Sequence, residues 1–152
     1  MVHNALSLVS VLGTGIVAGV FFAVAVSVLP ALAAMEPGRY IVTHRALGKG
    51  YHPHMPLIVT VALLADATLV FLAPVPAARL LFAVAGVCLV GVQVVSQFGN
   101  VPINRRVGRT PTDPVPEEWD DPRPLWRRWH TLRTVFAVLA LLATGCAILV
   151  AS

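Results

Sequence analysis

The residue types best suited to chemistry lie in the segment "WRRWHTLRT", residues 126–134. His130 and Arg133 are three positions apart, so a helix places both on one face, and Trp126 joins the same stripe four positions earlier. An imidazole exchanges a proton near neutral pH, and a guanidinium is a permanent cation. The row therefore offers acid–base chemistry beside a flat indole. The alternative is an interfacial helix start, with tryptophan at a membrane boundary and arginine extended towards water.

A second group of polar residues lies in "QFGNVPINRR", residues 97–106. Asn100 is expected to cap a helix that Pro102 helps to stop. One asparagine suffices for a cap, so Asn104 needs another explanation. An amide that lines a pocket can donate to an oxyanion or orient a hydroxyl. We therefore take Asn104 as a candidate catalytic residue, and Asn100 and Gln97 as candidate substrate-binding residues.

The segment "YHPHMP" offers metal ligands. The prolines favour extended backbone before them, which would point His52 and His54 the same way. With His130 they could form a three-nitrogen site for copper or iron, and Met55 would suit copper. The alternative is that both loop histidines are simply solvated.

Asp66, in "LLADATL", is a single carboxyl in an apolar run. Along a helix it lies about 16 Å from Met55, which places it near the middle of a membrane. One interpretation is a neutral carboxyl that is hydrogen-bonded to Gln93 or a threonine. The other is a proton-handling, substrate-binding group at the floor of a pocket.

The elements that position these side chains follow from composition. The 152 residues are 57% hydrophobic and 12% charged, about half the charge of a typical soluble domain. Helices are the elements that satisfy their own backbone in lipid, so we predict an all-α fold, an antiparallel four-helix transmembrane bundle that forms one domain over residues 1–152. The predicted helices cover residues 5–32, 55–72, 79–99 and 129–150.

The basic residues indicate an orientation. They gather in the loops 33–54 and 100–128, whereas the side of the termini carries Arg79 alone. The positive-inside rule then predicts cytoplasmic loops and external termini in the plasma membrane. The net charge of +4 has this explanation, and no aromatic–basic motif indicates nucleic acid as a partner. Gly15 and Gly19 form a small-xxx-small pair that would let helices approach closely, within the bundle or in a homo-oligomer.

The last loop, "RTPTDPVPEEWDDPRP", is rich in proline and acidic residues. It is expected to be a solvated connector without regular structure. The alternative is a cap over this end of the bundle, anchored by Trp119.

The stretches "GIVAGVFFAVAVSVLPAL", "NVPINRRV" and "WRRWHTLRT" resemble the anthrone oxygenase-like family of small four-helix membrane proteins. The shared elements are a glycine-rich first helix that ends in a proline step, a Pro-x-Asn-Arg segment and a Trp…His-x-x-Arg-Thr element. The resemblance covers nearly the whole chain and picks out Asn104, His130 and Arg133. It does not extend to "YHPHMP" or to Asp66.

The resemblance implies oxidation of a polyketide anthrone to an anthraquinone with O₂, with no cofactor expected. An anthrone has an acidic methylene, and removing its proton gives an enolate that reacts with O₂. His130 would be the base, and Arg133 and Asn104 would stabilise the enolate. Trp126 could stack against the rings, and an apolar substrate could enter from the lipid bilayer.

Two other functions fit the sequence. A metal-dependent membrane oxidoreductase would use His52, His54 and His130. A non-enzymatic small-molecule binding or transport-related protein would use Asp66 and the glycine-rich first helix.

Overall fold

The computed structural model describes residues 1–151, and within them the chain is helical with no strand. The helices of this part of the chain are α1 (Val2–Ala33), α2 (Pro37–Tyr51), α3 (His54–Leu72), α4 (Pro76–Arg109) and α5 (Arg123–Ala151). The four helices other than α2 are long and apolar enough to cross a membrane. The predicted all-α transmembrane bundle is therefore confirmed, and α2 is an additional helix in the segment that was expected to be a loop.

The four long helices form a ring in which each packs against two neighbours, in the order α1, α3, α4, α5 and back to α1. Alanines fill much of the centre, and Ala62, Ala85 and Ala140 are completely buried. Large apolar side chains face outwards, so that Leu64 is 62% exposed and Val87 is 71% exposed. This distribution suits a surface in contact with lipid, because small residues between helices let the backbones come close.

Gly13 holds α1 close to α3. A Cβ atom built on Gly13 would lie 2.8 Å from the Cβ of Ala62, which is too close for any side chain. The predicted pair contributes less to packing. A Cβ atom built on Gly15 would lie 4.0 Å from Cδ1 of Leu141, and one built on Gly19 would have no heavy atom of a neighbouring helix within 4 Å among residues 1–151. The close approach therefore occurs half a turn before the predicted pair. The homo-oligomer contact stays a prediction.

Two helical turns are wider than an α-helical turn. These π-helical segments are Val24–Val28 in α1 and Ser96–Asn100 in α4, and Pro30 and Pro102 follow them two residues later. A proline inside a helix lacks the N–H group and clashes with the preceding turn, and a wide turn accommodates both defects. The prediction that Pro102 ends the helix at an Asn100 cap is therefore wrong, because α4 continues to Arg109.

The entry to α3 also differs from the prediction. The sequence predicts that His52 and His54 share an extended segment. His52 has extended torsion angles, with φ −98° and ψ 132°, whereas His54 begins α3. The two imidazoles are therefore not held in one extended strand.

The segment 110–122 forms a cap rather than a free connector. The ring of Trp119 lies 6.1 Å from that of Tyr40, and the guanidinium carbon of Arg123 lies 5.3 Å from the Tyr40 ring and 5.6 Å from the Trp119 ring. Arg123 also pairs with Asp121 at 2.6 Å. Burial alone would raise the pKa of Asp121, but the hydrogen bonds and charge of Arg123 outweigh it and hold that pKa below its usual value. The cap interpretation of this segment is the one that the contacts support.

Candidate functional site

A cavity of about 160 Å³ lies at the end of the bundle covered by α2. Both wide turns contribute to its wall, through Val24, Val28, Ser96 and Gln97. Much of the lining is apolar, and the polar and charged side chains that contribute to it are His44, Tyr51, His52, Gln93, Ser96, Gln97, Asn104 and Arg133. An apolar pocket with a few convergent polar groups is the usual form of a small-molecule site.

Arg133 lines the cavity, and His130 fixes its guanidinium group by accepting hydrogen bonds. The Nε and Nη2 atoms of Arg133 donate to Nδ1 of His130 at 3.1 and 2.7 Å. The guanidinium carbon of Arg133 lies 4.4 Å from the centre of the Phe21 ring, a cation–π contact. The predicted pairing of His130 with Arg133 therefore exists as a direct hydrogen bond that orients the cation.

His130 itself is completely buried and does not line the cavity. Its Nε2 donates to the carbonyl oxygen of Phe21 at 3.0 Å, while its Nδ1 lone pair accepts from Arg133. A neutral imidazole has one N–H group and one lone pair, so both are occupied. Protonation would turn an N–H group and a second positive charge towards Arg133. In this arrangement His130 has no lone pair available to take a proton from a ligand.

His44, on α2, has an imidazole nitrogen without a partner among the described residues. Its Nε2 lies 3.0 Å from Oδ1 of Asn104, and its Nδ1 is buried with no hydrogen-bond partner among the described residues. The Trp126 ring packs edge-on against it, with ring centres 4.7 Å apart. Burial lowers the pKa of His44 below its ordinary value, and the hydrogen bond to Asn104 opposes that shift. His44 is therefore a largely buried imidazole, with a lowered pKa, that lines the cavity.

The sequence contained a weak signal for His44. Tyr40, Ile41 and His44 are buried on one face of α2, the spacing of an amphipathic helix. In a segment expected to be a loop, as residues 33–54 are, this spacing alone does not indicate burial.

The sequence model of the family described as anthrone oxygenase matches residues 44–143, about two thirds of the chain. The chain belongs to this family. The matched region begins at His44 and includes Asn104, His130 and Arg133. Family membership supports an oxygenase-like function in general terms. Comparison with curated proteins and with solved structures gives no match.

The residues predicted to bind substrate in this anthrone oxygenase family member fall into two groups. Gln97 and Trp126 line the cavity. Trp126 does so because α5 begins at Arg123 rather than at the predicted residue 129. Asn100 is completely buried, does not line the cavity, and donates through Nδ2 to the Trp126 carbonyl oxygen at 3.4 Å.

Asp66 also lies away from the cavity. It is completely buried and accepts a hydrogen bond from Ser10, whose Oγ lies 3.5 Å from Oγ1 of Thr144. The predicted partner Gln93 instead donates to Thr60 at 3.2 Å. Asp66 lies about two helical turns beyond Val59, which lines the cavity. The predicted role of Asp66 as the pocket floor is not supported by this position.

The three histidines predicted to bind metal are not brought together. His52 and His54 are both exposed, and only His52 of these two lines the cavity. His130 uses both ring nitrogens in hydrogen bonds to protein atoms. No group of three His, Cys, Asp or Glu side chains within residues 1–151 is arranged to hold a metal ion. The donor set that the metal hypothesis needs is therefore not formed.

Proposed function

We propose that the protein is a membrane-embedded oxygenase that oxidises a flat, apolar, anthrone-like molecule with O₂. The observation that carries this proposal is that Arg133, fixed by His130, lines the same largely apolar cavity as His44 and Asn104. One cation and one neutral imidazole in an apolar cavity are the groups needed to form an enolate.

The reaction converts one methylene group into a carbonyl group. A base removes a proton from the acidic methylene, and the enolate transfers electrons to O₂ and forms a carbon–oxygen bond. The protonated base returns its proton to the resulting peroxide, and loss of water leaves the quinone. One O₂ is consumed and one water is released, so atoms and electrons balance without a further reductant.

We assign the proton transfer to His44 rather than to His130. His44 has a buried nitrogen with no partner in the described chain, and its lowered pKa keeps it neutral at physiological pH. A positioned base of this kind contributes about 10²–10⁴-fold to a rate. His130 acts as a positioning residue, because it fixes the guanidinium of Arg133 through Nδ1.

Arg133 and Asn104 have the roles that the family resemblance implies. The guanidinium stabilises the enolate oxygen, and donors that are already fixed in place are effective because they need no reorganisation during the reaction. The Asn104 carbonyl accepts from His44, so its NH₂ group remains to donate to the same oxygen. Phe21 and Trp126 supply ring surfaces at the wall.

The same proposal includes the orientation. The cavity lies at the end that carries the basic loops, which the positive-inside rule assigns to the cytoplasmic face of the plasma membrane. An apolar substrate reaches it from the lipid bilayer, and both termini face outwards.

The test uses protein in lipid nanodiscs, a simple anthrone and O₂, with O₂ consumption and quinone absorbance as readouts above the uncatalysed rate. Arg133→Met is expected to lose about 10²–10³-fold in turnover, the usual effect of losing one oxyanion donor. Arg79→Met is the matched control, since Arg79 bonds to the Ala73 carbonyl oxygen at the opposite end. Wild-type turnover by Arg133→Met, or an equal loss in the control, contradicts the proposal.

A further inference from the structure

A second concave region lies on the outside of the bundle, between the end of α1 and the start of α5. It encloses about 780 Å³. Its apolar wall includes Leu29 and Leu32 from α1 and Leu132 and Val135 from α5. Leu132 is 40% exposed and Val135 is 49% exposed, so this wall is open to the hydrocarbon side. We call this region the α1–α5 groove.

The polar end of the α1–α5 groove is positively charged. Arg127 and Arg128 line it, and neither forms an ion pair or side-chain hydrogen bond with any described residue. The carboxylate of Asp121 also lines the groove but is engaged by Arg123. Both free arginines lie in the second turn of α5.

Two residues that line the α1–α5 groove carry a buried donor with no partner among the described residues. These donors are the hydroxyl of Tyr40, which is completely buried, and Nε1 of Trp126, which is 8% exposed. Burial and the charge of Asp121 raise the pKa of Tyr40 to about 12, although Arg123 opposes the shift, so the hydroxyl keeps its proton. Buried donors normally have a hydrogen-bond acceptor. The unpaired groups of this groove are donors and cations, which together select an anion.

We propose that the α1–α5 groove is a specific site for one anionic phospholipid. The phosphodiester lies between Arg127 and Arg128, and an acyl chain follows the wall of Leu29, Leu132 and Val135. A free anion would meet the charged end but leave the apolar wall uncovered. A zwitterionic lipid would cover the wall but bring its own cation to the arginines. Basic pockets between membrane helices on the cytoplasmic side are known to favour anionic headgroups.

The α1–α5 groove shares a wall with the cavity. Trp126 and Leu32 line both, and the Trp126 ring packs against His44. A lipid in the groove therefore stabilises the wall on which His44 rests. The binding proposal itself does not depend on the proposed oxygenase reaction.

The experiment measures lipid binding to the full chain in neutral detergent by native mass spectrometry, with the helical circular dichroism signal as a check on folding. Phosphatidylglycerol is expected to bind wild type at least about 10-fold more tightly than phosphatidylcholine, since each arginine near the headgroup contributes about a factor of five. Arg127→Gln/Arg128→Gln should remove this preference. Arg105→Gln/Arg109→Gln is the matched control, because it removes two other exposed arginines at the same membrane end that have no described partner.

A second variant separates the lipid from a free anion. Val135→Trp fills the apolar wall without changing charge, and it is expected to weaken phosphatidylglycerol several-fold. Glycerol phosphate and inorganic phosphate, added as competitors at the lipid's concentration, should not displace it. Displacement by either anion, retained preference in Arg127→Gln/Arg128→Gln, or equal loss in the Arg105→Gln/Arg109→Gln control overturns the proposal.

Discussion

The two ends of the bundle arrange their polar side chains in opposite ways. At the end covered by α2, His44, Asn104 and Arg133 surround a cavity, and adjacent turns of α1 and α4 are wide. Towards the other end, Asp66 and Ser10 are in direct contact, and Gly13 holds α1 close to α3. His44 and Asp66 are both buried polar side chains, so burial and polarity do not distinguish a binding site from a packed polar contact. Helix spacing does, because it decides whether a ligand can reach the polar groups.

The largest expected effect on turnover comes from substituting the buried ionisable residue of each polar group in turn, His44 and Asp66. His44→Leu removes the proposed base and should lower turnover by about 10²–10⁴-fold. Asp66→Asn preserves the shape of a packed side chain and should leave turnover within about threefold of wild type, since Asp66 does not line the cavity. Initial rates of quinone formation measure both. If Asp66→Asn lost as much activity as His44→Leu, the distinction between the two ends would fail.

His130 is predicted to act through Arg133. A glutamine can both accept from Arg133 and donate to the Phe21 carbonyl oxygen, so His130→Gln should retain much more activity than His130→Leu. We expect about a 10²-fold loss in His130→Leu, the size of effect that follows from misplacing a catalytic group. The pH profile separates the roles: the acid limb of kcat/KM should persist in His130→Gln and disappear in His44→Gln. Loss of the limb in His130→Gln would instead identify His130 as the base.

The packed end should be more sensitive to added volume. Gly13→Ala places a methyl group against Ala62 and is expected to destabilise the fold by about 1–3 kcal/mol, the usual cost of overpacking. Gly19→Ala is the control, because no described atom lies within 4 Å of a Cβ there. Thermal unfolding in detergent measures the difference. Equal stability of the two variants would show that α1 and α3 can separate at little energetic cost.

The smallest expected effect is a shift in the pH profile. A base must be deprotonated, so kcat/KM falls as the pH drops through the pKa of His44, which burial lowers below about 6.5. The hydrogen bond to Asn104 raises this pKa, so Asn104→Leu should move the acid limb to lower pH. Gln97→Leu alters another amide of the cavity that has no contact with His44, and should leave the limb in place. A limb that moves upwards in Asn104→Leu would contradict the assignment of His44.

The fold could be predicted from sequence because it depends on composition. Four long apolar runs specify four spanning helices whatever their neighbours are. The end of α4 could not be predicted, because Pro102 is a helix breaker unless a wide turn precedes it, and that turn has no local sequence signal. Similarly, α2 could not be predicted, because it is short and weakly apolar and lies between two membrane-spanning helices, where a loop is expected.

The site could be predicted only in part. The spacing of His130 and Arg133 correctly predicts their contact, because it depends on one helix alone. Which of the two faces a ligand depends on the Phe21 carbonyl oxygen, an atom of another helix. His44 and Asn104 are 60 residues apart and meet only after α2 folds over the end of α4. Relations of this kind arise from packing, which no local pattern encodes.

The wide turns give the site an unusual dependence on chain length. A π-helical turn contains about one residue more than an α-helical turn, so Ser96–Asn100 acts as a one-residue insertion within α4. Removing that residue would turn the following part of α4 by about 100° and shorten it by about 1.5 Å. Asn104 would then leave His44, although every side chain of the cavity would still be present in the sequence.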